Sequence, residues 1–175
     1  TGGQKDSTNV AMNSDWVPSE SSLLLKGVDI SFDSFGNTAD PTKIASPDNL
    51  KYSEKLRSLF IGEDSGNHLN NYLWAYNVDT KKLERVLSAP AGAESTGLHA
   101  VDEVNGWTYI MSNFQHPGDE WNRFYKDNAD GTRNGLSTSL LADLDKAINT
   151  NYNNKFAAAV GYITADPIAP SIEKK

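Results

Sequence analysis

No cysteine occurs among the 175 residues. Disulfides, thiolate zinc sites and a cysteine nucleophile are therefore excluded within this span, and thiol usage gives no reading of the redox compartment. Long apolar runs are missing too. None approaches the roughly 20 residues that cross a bilayer, and no charged-then-apolar leader opens the chain, so no transmembrane segment is expected. Positive charge is in short supply: 16 Lys and Arg stand against 23 Asp and Glu, for a net charge of -7. Such a chain lacks the cationic surface that displaces counterions from a duplex, which argues against a nucleic-acid partner and for a cation. Also absent are a phosphate-cradling glycine loop, a G-x-S-x-G elbow and an H-E-x-x-H helix.

What is present reads as mostly β. Residues 1–22 are rich in Ser, Asn, Thr and Gly and are expected to form a flexible arm or loop, since they offer little apolar surface to offset ordering entropy. From Leu23 the texture changes to short apolar runs separated by turn residues, too closely spaced for crossover helices, which predicts antiparallel meanders. Four strands are expected between residues 47 and 90: Asn49 to Tyr52, Leu56 to Ile61, Tyr72 to Val78 and Leu83 to Leu87. Within them Leu59, Phe60 and Ile61 form the continuous apolar run of a strand covered on both faces.

Four such strands in about 40 residues match one blade of a β-propeller. A second blade is predicted over 97–164. Gly97 to Val101 and Trp107 to Met111 flank an Asn105-Gly106 hairpin turn, a helix capped by Ser137 or Ser139 carries Leu140, Leu144 and Ile148, and a last strand spans Phe156 to Ile163. Val28 to Phe32 alternates like the closing strand of a preceding blade, placed at about 26–33. Trp74, Tyr76 and Trp107 read as blade core, and 166–175 as a frayed tail. The span 23–165 is short for a closed propeller, and the start at TGGQKDSTNV, without Met, reads as a cut or processed end. The expectation is a propeller fragment whose open sheet edges associate or are covered by the missing N-terminal part.

Connectivity alone sorts the loops of an up-and-down meander onto two ends. Ser53 to Lys55, Asp79 to Lys82 and Asp102 to Gly106 fall at one end and are ordinary charged turns. The segments PDN (47–49), GEDSGNHLNN (62–71), PAGAESTG (90–97) and SNFQHPGDEWN (112–122) fall at the other. All three histidines lie in or beside them. Asp48, Glu63, Asp64 and Glu94 are placed to converge there, where crowded carboxylates either take up protons or enclose a cation. Mixed with the amide oxygens of Asn49, Asn70, Asn71 and Gln115 they form a hard-oxygen set suited to calcium.

Taken singly, each motif has an ordinary explanation. PDN is a common strand-entry turn, Glu63-Asp64-Ser65-Gly66 a common turn, and single loop histidines such as His68 and His116 usually bond to backbone, with His99 packing in a strand. Arg85, Arg123 and Arg133 are candidate phosphate donors that read more simply as solvated charges. The coincidence on one end carries the argument.

The segments PDNL (47–50), IGED (61–64), Asn70 to Thr80, AESTG (93–97) and above all SNFQHPGDE (112–120) resemble, in that order, the C-terminal half of PhoX-type bacterial alkaline phosphatases. The resemblance covers roughly the middle of the chain. It implies a six-bladed propeller of the periplasm or cell exterior that hydrolyses phosphomonoesters with calcium, and in the full-length protein iron. It further implies that Glu94 ligates metal, with Asp48, Asn49 and Asp64 as further ligands or their supports and Gln115 and His116 at the site rim. Joined to the convergence above, the expected set is metal ligation by Asp48, Asn49, Glu63, Asp64 and Glu94, catalysis by Glu94 and His116, and substrate contacts from Gln115 and Asn71. This chain departs from the family loop at Ala91, where the family carries Arg, and at Ala93, where it carries Cys. An isolated fragment is expected to be inactive. Two alternatives stand beside this reading: a non-catalytic, calcium-stabilised propeller used for protein interaction, and a lactonase- or phosphotriesterase-like hydrolase on the same scaffold.

Overall fold

Short strands broken by residues that favour turns produce two antiparallel sheets packed face to face. The structure, a computed structural model, describes residues 4–12, 21–154 and 157–165. The first sheet is a four-stranded meander of β3 (Pro47–Ser53), β4 (Ser58–Glu63), β5 (Tyr72–Asn77) and β6 (Leu83–Ser88), paired in that order. The strands expected between residues 47 and 90 are all present. Their turns follow from local chemistry: the Asn77 side chain accepts the N–H groups of Asp79 and Thr80 at 3.1 and 2.8 Å and so closes the β5–β6 turn.

The second sheet has three strands. β7 (Glu94–Val104) and β8 (Trp107–Gln115) form a hairpin, and β11 (Ala159–Ala165) returns along β8. Asn105 and Gly106 have φ of 52° and 84°, the positive values at both central positions that a two-residue primed turn requires. Between β8 and β11 lies an insertion with the hairpin of β9 (Tyr125–Asp127) and β10 (Arg133–Gly135) and the helix α1 (Thr138–Asn151). Ser137 caps α1, its Oγ accepting from Leu140 N–H at 3.2 Å.

Several expectations are corrected. The second unit has three sheet strands among the described residues and not the four of a full blade, and between β8 and β11 the chain forms, besides the expected helix, the hairpin of β9 and β10 that the sequence reading did not place. Val28 to Phe32 contributes one isolated bridge, Asp29 to Ala39, in place of a closing strand. Its backbone bonds run to the chain that follows, Ile30 N–H to Thr38 C=O at 2.9 Å and Asp40 N–H to Val28 C=O at 2.8 Å, around a turn in which Asp33 accepts the N–H groups of Phe35 and Asn37, and Asn37 in turn accepts Leu69 N–H at 2.8 Å. Trp107 is 46% exposed and lies outside the core. The last strand begins at Ala159, with Phe156 outside the described residues. In the expected arm, β1 (Gln4–Lys5) and β2 (Ala11–Met12) pair as a small hairpin, and the expected tail at 166–175 lies outside the described residues.

The core has three parts. Phe60 and Leu73 of the first sheet meet Ala100 and Ile110 of the second, with Leu98 and Ile163 packed beside them. The opposite face of the first sheet, with Ile61, Trp74 and Tyr76, is covered by Ile44 and Leu25. Full burial of side chains of this size is worth about 1.5–3 kcal/mol each. In the insertion Phe124 and Leu136 join Leu69 and Ala91, with Leu140 and Leu144 of α1 against them. The outer face of the second sheet is bare, leaving Met111, Val160 and Tyr162 at 38%, 77% and 65% exposure.

Candidate functional site

The two sheets lie so that β3 and β7 run side by side in one direction. At one end the Asn49 side chain donates to Ser95 C=O at 3.3 Å. At the other, Ser53 donates to Asp102 and Lys55 pairs with Glu103. The beginnings of β3 and β7 therefore share an end with the close of β4 and β8, and the charged turns occupy the opposite end. Gly62 makes the approach possible, since a Cβ there would lie 2.6 Å from Ser95 O and 2.8 Å from Asn49 Oδ1.

Loop packing then gathers the chemistry. The loop before β7 is tied to its neighbours by Gly92 N–H to Leu69 C=O and Gly118 N–H to Ala91 C=O, both 2.8 Å. Gly92 has φ of 72° and sits directly against Gly118 and Asp119, where a side chain would collide. These contacts seat the Gln115-His116-Pro117-Gly118 turn over the start of β7. His116 Nε2 comes to 3.4 Å from Glu94 Oε1, and its Nδ1 to 3.8 Å from Asp119 Oδ2. Asp64, just past the end of β4, lines the same small pocket as Glu94. Burial pushes the Glu94 carboxyl above the usual carboxylate range, the adjacent Asp64 raises it further, and His116 offsets part of the rise. Asp64, Ser65, Asn71, Glu94, His116, Asp119 and Glu120 line a common small pocket.

The structure thus brings Asp64, Glu94 and His116 together. Glu63, expected among the metal ligands, is corrected to a structural role. It is fully buried, and its carboxylate accepts from Ala45 N–H (2.8 Å), Trp74 Nε1–H (2.7 Å), Tyr72 N–H (3.0 Å) and His68 Nδ1 (3.0 Å), which leaves no lone pair for a cation. Alternation along β4 turns Glu63 inward and leaves Asp64, beyond the strand end, to face the loops. Asn71, expected on substrate, is 4% exposed with both polar atoms of its amide bonded to backbone.

Asp48 is exposed at the start of β3, accepting from Asn49 Nδ2 at 3.1 Å. Gln115 is exposed at the end of β8, the register partner of Glu94. Asp119 was missed by sequence reasoning, although its place three residues after His116, with its N–H donating to His116 C=O at 3.2 Å, marks a turn that returns it to the imidazole. Of the arginines, Arg133 is held by Asp127 and Arg85 stacks over Tyr72 at 4.9 Å. Arg123 pairs with Glu120 at 2.8 Å and crosses Gly66, next to the pocket.

As a cation site this set is partial. Asp64 and Glu94 supply hard oxygens and negative charge, but among the described residues no group of three or more His, Asp or Glu converges closely enough to enclose a metal. Calcium takes six to eight oxygen ligands, so these two carboxylates account for only part of a shell. Positions 91 and 93, where the resemblance implies Arg and Cys, carry buried alanines, and Ala91 packs against Leu69 and Phe124 in the insertion's core. Among the described residues no helix is long and apolar enough to cross a membrane. No family model, curated protein or solved structure matches the chain, which is mostly β, with antiparallel sheets and a pocket lined by two carboxylates at one end.

Proposed function

We propose that the chain forms part of a calcium-dependent phosphomonoesterase of the PhoX type, its two sheets acting as neighbouring blades of a propeller. The observation that supports it is that Asp64 and Glu94 line one small pocket together with His116, which lies 3.4 Å from Glu94. Two carboxylates forced together repel at neutral pH, and a divalent ion relieves that repulsion. Calcium would be held by Asp64 and Glu94, with water, substrate and further residues filling the remaining positions, and would neutralise developing charge on the phosphate oxygens. His116, half exposed between Glu94 and Asp119, is placed to hand a proton to a departing alkoxide. Arg123 reaches the same rim and offers the guanidinium that position 91 does not. Iron in the full-length protein, a periplasmic or extracellular location and a phosphate-ester substrate belong to the same proposal.

Calorimetric titration of calcium into the chain, followed by inorganic phosphate, is the test. The expected result is saturable calcium binding that disappears in Asp64→Asn and Glu94→Gln, and phosphate binding that requires calcium. Wild-type chain that takes up neither ion would sink the reading.

One observation favours a second reading, a non-catalytic propeller in which calcium only ties the loops. Ala91 is buried in an apolar cluster, so an arginine cannot occupy that position without breaking the cluster. Calcium binding without phosphate binding would select it.

A further inference from the structure

Asp64 and Glu94 line one small pocket, and holding two carboxylates there needs an agent. Each carboxylate sits on a different loop, one following β4 and the other opening β7, and two like charges push such loops apart. Asn71 lies between them, immediately before β5 and 4% exposed. Its Oδ1 accepts from Ser65 N–H at 2.9 Å, and its Nδ2 donates to Ala93 C=O at 2.9 Å. Ser65 directly follows Asp64, and Ala93 directly precedes Glu94. The residue's own C=O accepts Ala89 N–H at 2.8 Å, which fixes the backbone from which the amide projects.

We propose that Asn71 is a positioning residue: one planar amide spans the peptides next to Asp64 and Glu94 and sets the separation of the two carboxylates. The inference deepens the cation-site reading and rests on it for its functional meaning, while its geometric content stands apart from any ion. The position demands an acceptor toward one loop and a donor toward the other, at fixed distance. Asparagine meets this demand. Aspartate keeps the acceptor and loses the donor, leucine keeps the shape and loses both, and alanine does not reach either loop. Neighbouring Asn70 offers a contrast, since its Nδ2 bonds to Ala89 C=O at 2.9 Å and links neither carboxylate loop to the other.

Two readouts test the tie in the full chain. In the absence of any cation, the carboxyl carbon resonance of Glu94 is recorded by NMR before and after Asp64→Asn. A clear displacement is expected in the wild-type background and in Asn77→Ala, at the opposite end of the sheet, and a several-fold smaller one in Asn71→Leu. With calcium as the probe, calorimetric affinity is expected to fall about 10- to 100-fold in Asn71→Leu, the usual consequence of removing a residue that orients ligands, and to stay unchanged in Asn77→Ala. A melting transition close to wild type establishes that the variants are folded. Should Asn71→Leu fail to fold, Asn71→Ala, which reaches neither loop and adds no charge, is read in the same way.

An Asp64→Asn displacement of equal size in both backgrounds overturns the proposal, as does a wild type in which Asp64→Asn leaves Glu94 unmoved. Full calcium affinity in Asn71→Leu overturns it too. If the wild type binds no calcium, the cation reading fails, and the NMR comparison still decides whether Asn71 sets the carboxylate pair.

Discussion

Two glutamate–histidine pairs stand a short distance apart in this chain and have opposite characters. Glu63 and His68 meet at 3.0 Å with both side chains fully buried, while Glu94 and His116 meet at 3.4 Å with the imidazole 44% exposed. In the first, four protein donors saturate the carboxylate, and the far side of the imidazole faces Asp40 C=O at 3.3 Å. In the second, the carboxylate is short of donors and has another carboxylate for a neighbour. The residue types are the same. Donor supply separates a buried anchor, which ties β4 to β5 and to the segment ending at Ala45, from a group left with capacity to bind something else.

The comparison breaks most visibly at Glu63. Replacing it with alanine leaves Trp74 Nε1, Ala45 N–H, Tyr72 N–H and His68 without their acceptor, and a broken buried pair of this kind costs about 3–5 kcal/mol. Urea denaturation is the measurement; a loss below about 1 kcal/mol would show that the donors find other partners. Next in size is Ser137→Ala. The variant removes the cap of α1, whose Leu140 and Leu144 pack on the cluster beneath the His116 turn, at a cost of about 1 kcal/mol by the same measurement. Amides of the insertion should exchange faster while those around Glu63 keep their protection.

The finest test is pH. Because the folded-state carboxyl of Glu94 titrates above its unfolded value, the native chain holds its proton longer, and stability falls as pH rises from the ordinary glutamate range through the raised value. Glu94→Gln should remove this decline, so that the variant's melting temperature exceeds the wild type's at neutral pH and converges with it in acid. Parallel profiles would show that Glu94 carries no strain.

Much of the fold was legible because it rests on local chemistry. The apolar run at Leu59 to Ile61, the turn residues Asn77 and Asn105-Gly106, the Ser137 cap and the period of Leu140, Leu144 and Ile148 all act within a few residues of themselves. Sorting the loops by connectivity also put Asp64, Glu94 and His116 at one end, where the structure has them. What could not be read is what depends on side-chain direction or on long-range partners. Whether Glu63 or Asp64 faces the loops is decided by the last residue of β4, and a shift of one position exchanges inside for outside. The bonds of Asn71 join its own loop to the one before β7, a long-range match for which a single sequence carries no signal. At Val28 to Phe32 alternation was real, yet the backbone bonds go to Thr38 and Asp40 of the segment that follows, a short local pairing rather than a place in a sheet.

The insertion between β8 and β11 has a consequence for how such a chain changes over time. The two strands keep an unbroken register from Thr108 with Ala165 to Phe114 with Ala159 although a hairpin and a helix intervene. Closing a loop costs only about 0.6 kcal/mol more for each doubling of its length, so additions at this end weigh little on the sheets. Opposite, the two-residue turn at Asn105 and Gly106 admits no such lengthening without disturbing the hairpin. The molecule is open to renovation at the end that carries Glu94 and His116 and closed to it at the other.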